Sequence, residues 1–159
     1  MPYYYEGIIR SAPADKSEFV LGALNCQNVS GGDGSWTHNH IWYPHSETSS
    51  AVEWHDPDML FFAGDQIYEG GIGGIVRSPT DEAILDYMYH WYRFVWAFGD
   101  LMRDRPTVTI PDDHDVYHGN IWGEGGKAAV GDYSPSSDNG GYIMAPEFVN
   151  AVHRTQTSH

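Results

Sequence analysis

The residues best suited to chemistry lie in the stretch Thr107 to Asn120, TVTIPDDHDVYHGN, where a short apolar run that reads as a buried strand ends in Asp112, Asp113, His114 and Asp115. Three carboxylates beside an imidazole repel one another unless something cationic sits among them, and a metal ion meets that need. The same pattern occurs upstream, where Met59 to Ala63 runs into Gly64, Asp65, Gln66, Ile67, Tyr68 and Glu69. A weaker third version is Phe19 to Leu24, ending in Asn25 and Cys26. These donor types suit a two-cation centre. Asp65 can bridge two ions through its two oxygens, and Cys26 can offer one of them a thiolate. Tyr68 can add a phenolate to a strongly Lewis-acidic ion such as ferric iron. Asp113 supplies oxygen to the second ion, with Asn120 a further candidate, which leaves His114 to orient a phosphate oxygen or protonate a leaving alkoxide.

Taken singly, each residue has a plainer explanation. A cysteine such as Cys26 is more often a buried small hydrophobe than a ligand, by about three to one. Tyr68 alone reads as a core ring with a satisfied hydroxyl, and Asp65 after a glycine as a turn residue. The Asp112 to Asp115 run alone reads as a solvated turn. What favours the chemical reading is shared placement: in open parallel α/β sheets, ligands bind beyond the carboxyl ends of the strands, and all three clusters follow predicted strands. His38, His40 and His45, interleaved with Trp36, Trp42 and Tyr43, form a weaker candidate for zinc, since His-x-His without a clear third and fourth ligand carries little specificity. Packing along or under a pocket wall is the preferred reading there. His90 is assigned to packing, and His118 is assigned no role.

The elements that must carry these clusters are legible as a β-α-β-α-β series. Glu18 to Cys26 is mostly apolar, which predicts a parallel strand buried on both faces. Ser46 is expected to cap a short helix through Trp54, with Asp56-Pro57-Asp58 ending it before the Met59 to Ala63 strand. Gly70 to Gly74 follows the Asp65 cluster, so it does not fit the strand, glycine turn and helix of a dinucleotide site. Ser78 to Glu82 resembles a helix start, and Ile84, Met88, Trp91, Val95, Phe98 and Met102 predict the inward stripe of a long helix reaching Arg103. Pro106 to Ile110 completes the parallel set. Trp122 to Gly141 reads as a surface loop, and Pro146 with Phe148, Val149 and Val152 predicts a last helix over Ala145 to Thr155. A short strand is expected around Gly7 to Arg10.

A chain of 159 residues fits one domain with a sizeable core. Its 8 basic and 22 acidic side chains give a formal charge of -14, which argues against nucleic acid or an anionic membrane as partner. The same field repels phosphorylated substrates, so an acidic enzyme acting on phosphate must be a metalloenzyme. One cysteine excludes an internal disulfide. The N-terminal residues lack the basic and apolar segments of a signal peptide, no run is long enough for a membrane helix, and localisation stays open.

Gly64-Asp65-Gln66-Ile67-Tyr68-Glu69 together with Pro111-Asp112-Asp113-His114-Asp115-Val116 resembles the motif pair of alkaline phosphatase D (PhoD-like) proteins in the metallophosphatase superfamily, and Leu24-Asn25-Cys26 resembles their cysteine-bearing first motif. The resemblance implies a four-layer α/β/β/α sandwich that hydrolyses phosphate mono- or diesters, through a metal-bound hydroxide, at an iron and calcium centre. It matches Cys26, Asp65 and Tyr68 to the iron-side ligands, with Asp65 bridging to calcium. Asp113 and His114 fall where the wider superfamily has Asn and His, and Asn120 is the candidate calcium-side ligand. The family completes its centre with ligands from a second half of the domain, and this sequence shows no such motif. Residues 18–159 are therefore expected to form the first half of a catalytic domain, residues 1–17 a remnant of an N-terminal β region, and the chain a piece of a longer protein, whose export the resemblance allows. Two rivals remain: a non-catalytic cation-binding half-domain that self-associates through an unpaired sheet edge, and a metal-independent glycoside hydrolase using Glu69 and Asp113.

Overall fold

The computed structural model describes residues 6–11, 14–27, 45–68, 75–117, 128–129 and 141–157. Three parallel strands, β1 (Leu21–Leu24), β2 (Met59–Ala63) and β3 (Thr107–Ile110), lie side by side in the order β1-β2-β3. Helix α1 (Ser46–Trp54) follows β1, α2 (Thr80–Met102) joins β2 to β3, and α3 (Pro146–Thr157) comes last. The alternation of strand and helix is the one expected from the sequence, and it delivers the carboxyl ends of all three strands to one edge of the sheet. Residues 6–11 form no strand, contrary to expectation: Ile8 and Ile9 stay exposed, and the segment is held by the Ile8 N–H bonding to Asp104. At the start of α1 the N-cap position belongs to His45 rather than Ser46, and no side-chain cap bond forms there.

One face of the sheet is covered. Leu24, Leu60 and Phe62 pack against Phe94, Ala97, Phe98 and Leu101 of α2, with edge-on ring contacts of Phe62 to Phe94 and Phe98 at 5.0 and 5.2 Å. Rings buried in this way each contribute about 1.5–3 kcal/mol. Gly22 permits the close approach of this layer, since a Cβ there would lie 2.9 Å from Leu60 and 3.3 Å from Val52 of α1. A second cluster, built from Ile67, Ala83, Tyr87, Val116, Tyr117, Met144, Phe148, Val149 and Val152, packs α3 and the start of α2 beneath the strand-end loops. The predicted apolar face of α3 is therefore the one it buries.

The opposite face of the sheet differs from expectation. Register places Leu21, Met59, Phe61, Val108 and Ile110 on it, and Leu21 and Ile110 are 49% and 42% exposed. β1 is thus an edge strand buried on one side only, because among the described residues no layer covers its other side. The inward stripe of α2 departs in part from the reading of the sequence. Phe98 is buried as expected, and Ile84, Trp91 and Met102 pack partly buried against the cores. Met88 and Val95 are instead 42% and 38% exposed, and Ala83, Tyr87, His90, Phe94, Ala97 and Leu101, each one position earlier, face the core. The helix carries large apolar side chains on most sides, so periodicity alone fits either stripe.

Among the described residues no helix is long and apolar enough to cross a membrane.

Candidate metal centre

The parallel pairing of β1 and β2 continues past the strand ends, with Cys26 N–H donating to the Gly64 carbonyl (3.1 Å) and Gln27 N–H to that of Asp65 (3.0 Å). This draws Cys26 beside Asp65 although 39 positions separate them. Both residues adopt left-handed backbone, with φ of 54° at Cys26 and 57° at Asp65, a conformation that costs on the order of 1–3 kcal/mol for a non-glycine residue. Such strain persists only where the surroundings over-determine it. Gly64, at φ 96°, completes the turn, and a Cβ there would come within 2.5 Å of the Asp112 Cβ. Gly64→Ala is accordingly expected to destabilise the protein by more than about 1 kcal/mol through backbone strain, with the clash in addition. Urea denaturation measures it, and a variant as stable as the wild type would mean that the two strand ends can part freely.

Asp65 is the hub of the cluster, and only 6% of it is exposed. Its Oδ2 accepts the Tyr68 hydroxyl at 2.9 Å and the Cys26 thiol at 3.4 Å, while its Oδ1 lies 3.4 Å from the His114 N–H. The Tyr68 ring stacks on the His114 imidazole, with centroids 4.2 Å apart. Ligand atoms of Asp65, Asp113 and His114 lie within 4.8 Å of one another, close enough to share one ion. Asp113 also caps its own turn, its Oδ1 accepting the His114 N–H at 3.0 Å.

The structure thus brings together Cys26, Asp65, Tyr68, Asp113 and His114. Asn120 and Glu69 lie outside the described residues, as do His38, His40 and His118. His45 stacks on Phe98 at 5.2 Å, and burial lowers its basicity. His90, buried against Asp86 at 3.8 Å, has the packing role assigned to it.

The donor set fits a cation chemically. The Tyr68 hydroxyl and the Cys26 thiol both lie within hydrogen-bond reach of Asp65 Oδ2, an oxygen open to a positive ion in their place. Burial, followed by its bonds to Cys26 and Asp65, pushes the Tyr68 phenol well above its ordinary range, so it stays neutral until a cation replaces its proton. At Cys26 the largest influence is the Tyr68 hydroxyl, which lowers the thiol; burial and the Asp65 and Asp112 carboxylates together outweigh it and raise the thiol overall. A raised thiol holds little thiolate near neutral pH, so either a ligand role or a nucleophilic one requires something to displace its proton.

The run Asp112 to Asp115 does not behave as four like members of one site. Asp115 turns inward, with none of its surface exposed, and its two oxygens accept four N–H groups. Its four N–H partners favour the charged form while burial favours the neutral one, and neither influence involves a cation, which corrects the expectation that only a cation could relieve the cluster. Gln156, also fully enclosed, joins that network, and the enclosed Gln66 bonds beside it to the Ile110 and Phe62 carbonyls. Sequence reasoning assigned no role to either. The signal available for Gln66 was its place between Asp65 and Ile67, whereas nothing in the sequence marks Gln156.

Comparison with protein-family models, with curated proteins and with solved structures yields no match to this chain. The case for function therefore rests on the cluster itself.

Proposed function

We propose that this chain carries the metal-binding part of a phosphoester hydrolase acting on phosphate mono- or diesters. The observation that supports this reading is the convergence on one carboxylate, Asp65, of a thiol, a phenol and the Asp113-His114 pair from three successive strand ends. Cys26, Asp65 and Tyr68 would hold one ion, iron being suited to the thiolate and phenolate, and Asp113 with Asp65 a second, oxygen-preferring ion such as calcium. When bound, such ions supply an acidified water and neutralise the charge developing on phosphoryl oxygens. Asp65 and Asp113 fix the donor geometry. His114, held by its stack on Tyr68, presents an imidazole that can pass a proton to the leaving oxygen. The formal charge of -14 discourages anionic substrates elsewhere on the surface and makes the cation site the favoured point of approach.

In the same reading, the open apolar face formed by Leu21, Phe61 and Ile110 is where a second sheet of a four-layer α/β/β/α sandwich would pack. That face also supports a second reading, a cation-binding half-domain that associates through it. Turnover of aryl phosphate and bis-aryl phosphate, with iron and calcium added and then removed by a chelator, tests the first. Chelator-sensitive hydrolysis is expected, and activity indifferent to chelation would sink it. Metal uptake without turnover, together with a dimer in sedimentation, would favour the second.

A further inference from the structure

Asp115 stands behind the ligand set, not in it. Its Oδ2 accepts the backbone N–H of Asp65 at 2.7 Å and of Asp112 at 2.9 Å; its Oδ1 accepts the Ile67 N–H at 3.0 Å and the Gln156 side-chain amide at 3.1 Å. Gln66 makes the converse link, from the loop after β2 to β3, with its Nε2 donating to the Ile110 carbonyl at 3.1 Å and back to that of Phe62 at 3.2 Å. The ends of β2 and β3 are laced in both directions. We infer that Asp115 and Gln66 are positioning residues that fix where Asp65 stands relative to Asp113 and His114, with Gln156 of α3 keeping Asp115 in place. The inference rests on the cation-site reading given above.

Two physical points support it. First, a carboxyl group is the side chain of this length that offers two acceptor oxygens, which is what four converging N–H groups require. Second, Asp65 sits in left-handed backbone, and Asp115 holds its N–H and the one two residues later, adding to the ties from Cys26 and Gln27 on the other side. The Gln156 anchor is itself fixed at two points. Its Nε2 reaches the Tyr87 hydroxyl at 3.3 Å, and its backbone carbonyl accepts the Thr109 hydroxyl of β3. Tyr87 belongs to the core cluster beneath the loops, so the ligand carboxylates are referred back to rigid packing through one chain of contacts. Outer partners of this kind commonly govern metal affinity without touching the metal.

Amide hydrogen exchange on the metal-free protein, paired with Mn²⁺ titration, tests this. In the wild type the Asp65, Ile67 and Asp112 amides should exchange slowly. In Asp115→Asn, whose amide group turns a donor toward existing donors, those three should exchange at least about tenfold faster, as for loss of a hydrogen bond. The Leu60 and Phe62 amides should be unchanged, and Mn²⁺ affinity should fall about 10–100-fold. Unaltered exchange at the three amides, or wild-type Mn²⁺ affinity in a folded Asp115→Asn, would overturn the inference. Should that variant fail to fold, Gln66→Met, which keeps the volume and removes the bonds to both carbonyls, takes its place. A tenfold weaker Mn²⁺ affinity in folded Gln66→Met upholds the inference, and unchanged affinity overturns it. If the wild type itself takes up no Mn²⁺ while exchange responds as expected, the cation reading falls and the backbone brace is upheld.

Discussion

Asp65→Asn removes cation binding while leaving the fold intact. The substitution keeps the size of the side chain, one carbonyl oxygen to face its neighbours, and the backbone N–H that Asp115 holds. It deletes a negative charge and one of two acceptor oxygens at the point where Tyr68, Cys26 and His114 converge. Loss of a partner that only orients a ligand weakens metal affinity by about 10–100-fold, so loss of the ligand at the hub should exceed about 100-fold. In the metal-free protein two effects on stability oppose one another. One charge fewer beside Asp112 and Asp113 relieves repulsion, while the amide turns a donor toward one of the groups that Asp65 accepts, at about 1–3 kcal/mol. The variant should therefore stay folded and unfold in urea within about 2 kcal/mol of the metal-free wild type. Isothermal titration with iron and with calcium measures the first effect. An Asp65→Asn protein that binds either ion as tightly as the wild type would remove Asp65 from its central place, and with it the proposed function.

The parts of this structure legible in the sequence are those governed by local pattern. The order of strands and helices follows from apolar runs alternating with helical periodicity. The placement of Cys26, Asp65 and Asp113 at strand ends follows from where those runs stop, and Pro146 marks the start of α3 because its missing N–H is no loss there. What pattern did not reveal depends on distant partners. Nothing in Leu21 or Ile110 says whether a layer covers them, so the number of buried faces of β1 was misjudged. The stripe of α2 holds at Phe98 and lies one position out at Met88 and Val95, because the helix is apolar on more than one side. The strand expected at Gly7 to Arg10 has the right residue types, but among the described residues no strand pairs with it and the Ile8 N–H bonds to a side chain, Asp104. At the candidate site, the convergence of Cys26, Asp65, Tyr68, Asp113 and His114 is readable from strand ends, whereas the inward turn of Asp115 is not. Four polar residues in a row do not disclose which of them meets Asp65, 50 positions away.

The pH dependence of stability tests that inward turn independently of any metal. Burial pushes the Asp115 carboxyl up from an ordinary 3.8 to about 7, against the pull of the N–H groups of Asp112, Gln156, Asp65 and Ile67, which favour the charged form. Because its folded value is raised, the folded protein keeps this proton at pH values where the unfolded chain has released it. The folded state therefore binds more protons across that interval, and stability falls as pH climbs from about 4 to about 7. About 3 units at 1.36 kcal/mol each set a scale on the order of 4 kcal/mol for this group acting alone. The Asp58 carboxyl acts elsewhere. Its bond to Lys16, followed by that to the Val20 N–H, lowers it, so its contribution is present above 3.8 and is lost only as pH drops below that value. Urea denaturation of chelator-treated protein between pH 4 and 8 should thus show a declining stability that Asp115→Asn abolishes, and carbon NMR of the Asp115 carboxyl should titrate near neutrality. A carboxyl that ionises below 4, with equal pH slopes in the two proteins, would show that the N–H cage outweighs burial. The charge of Asp115 would then be satisfied by hydrogen bonds alone, and the demand for a cation would fall on Asp65 and Asp113 without its help.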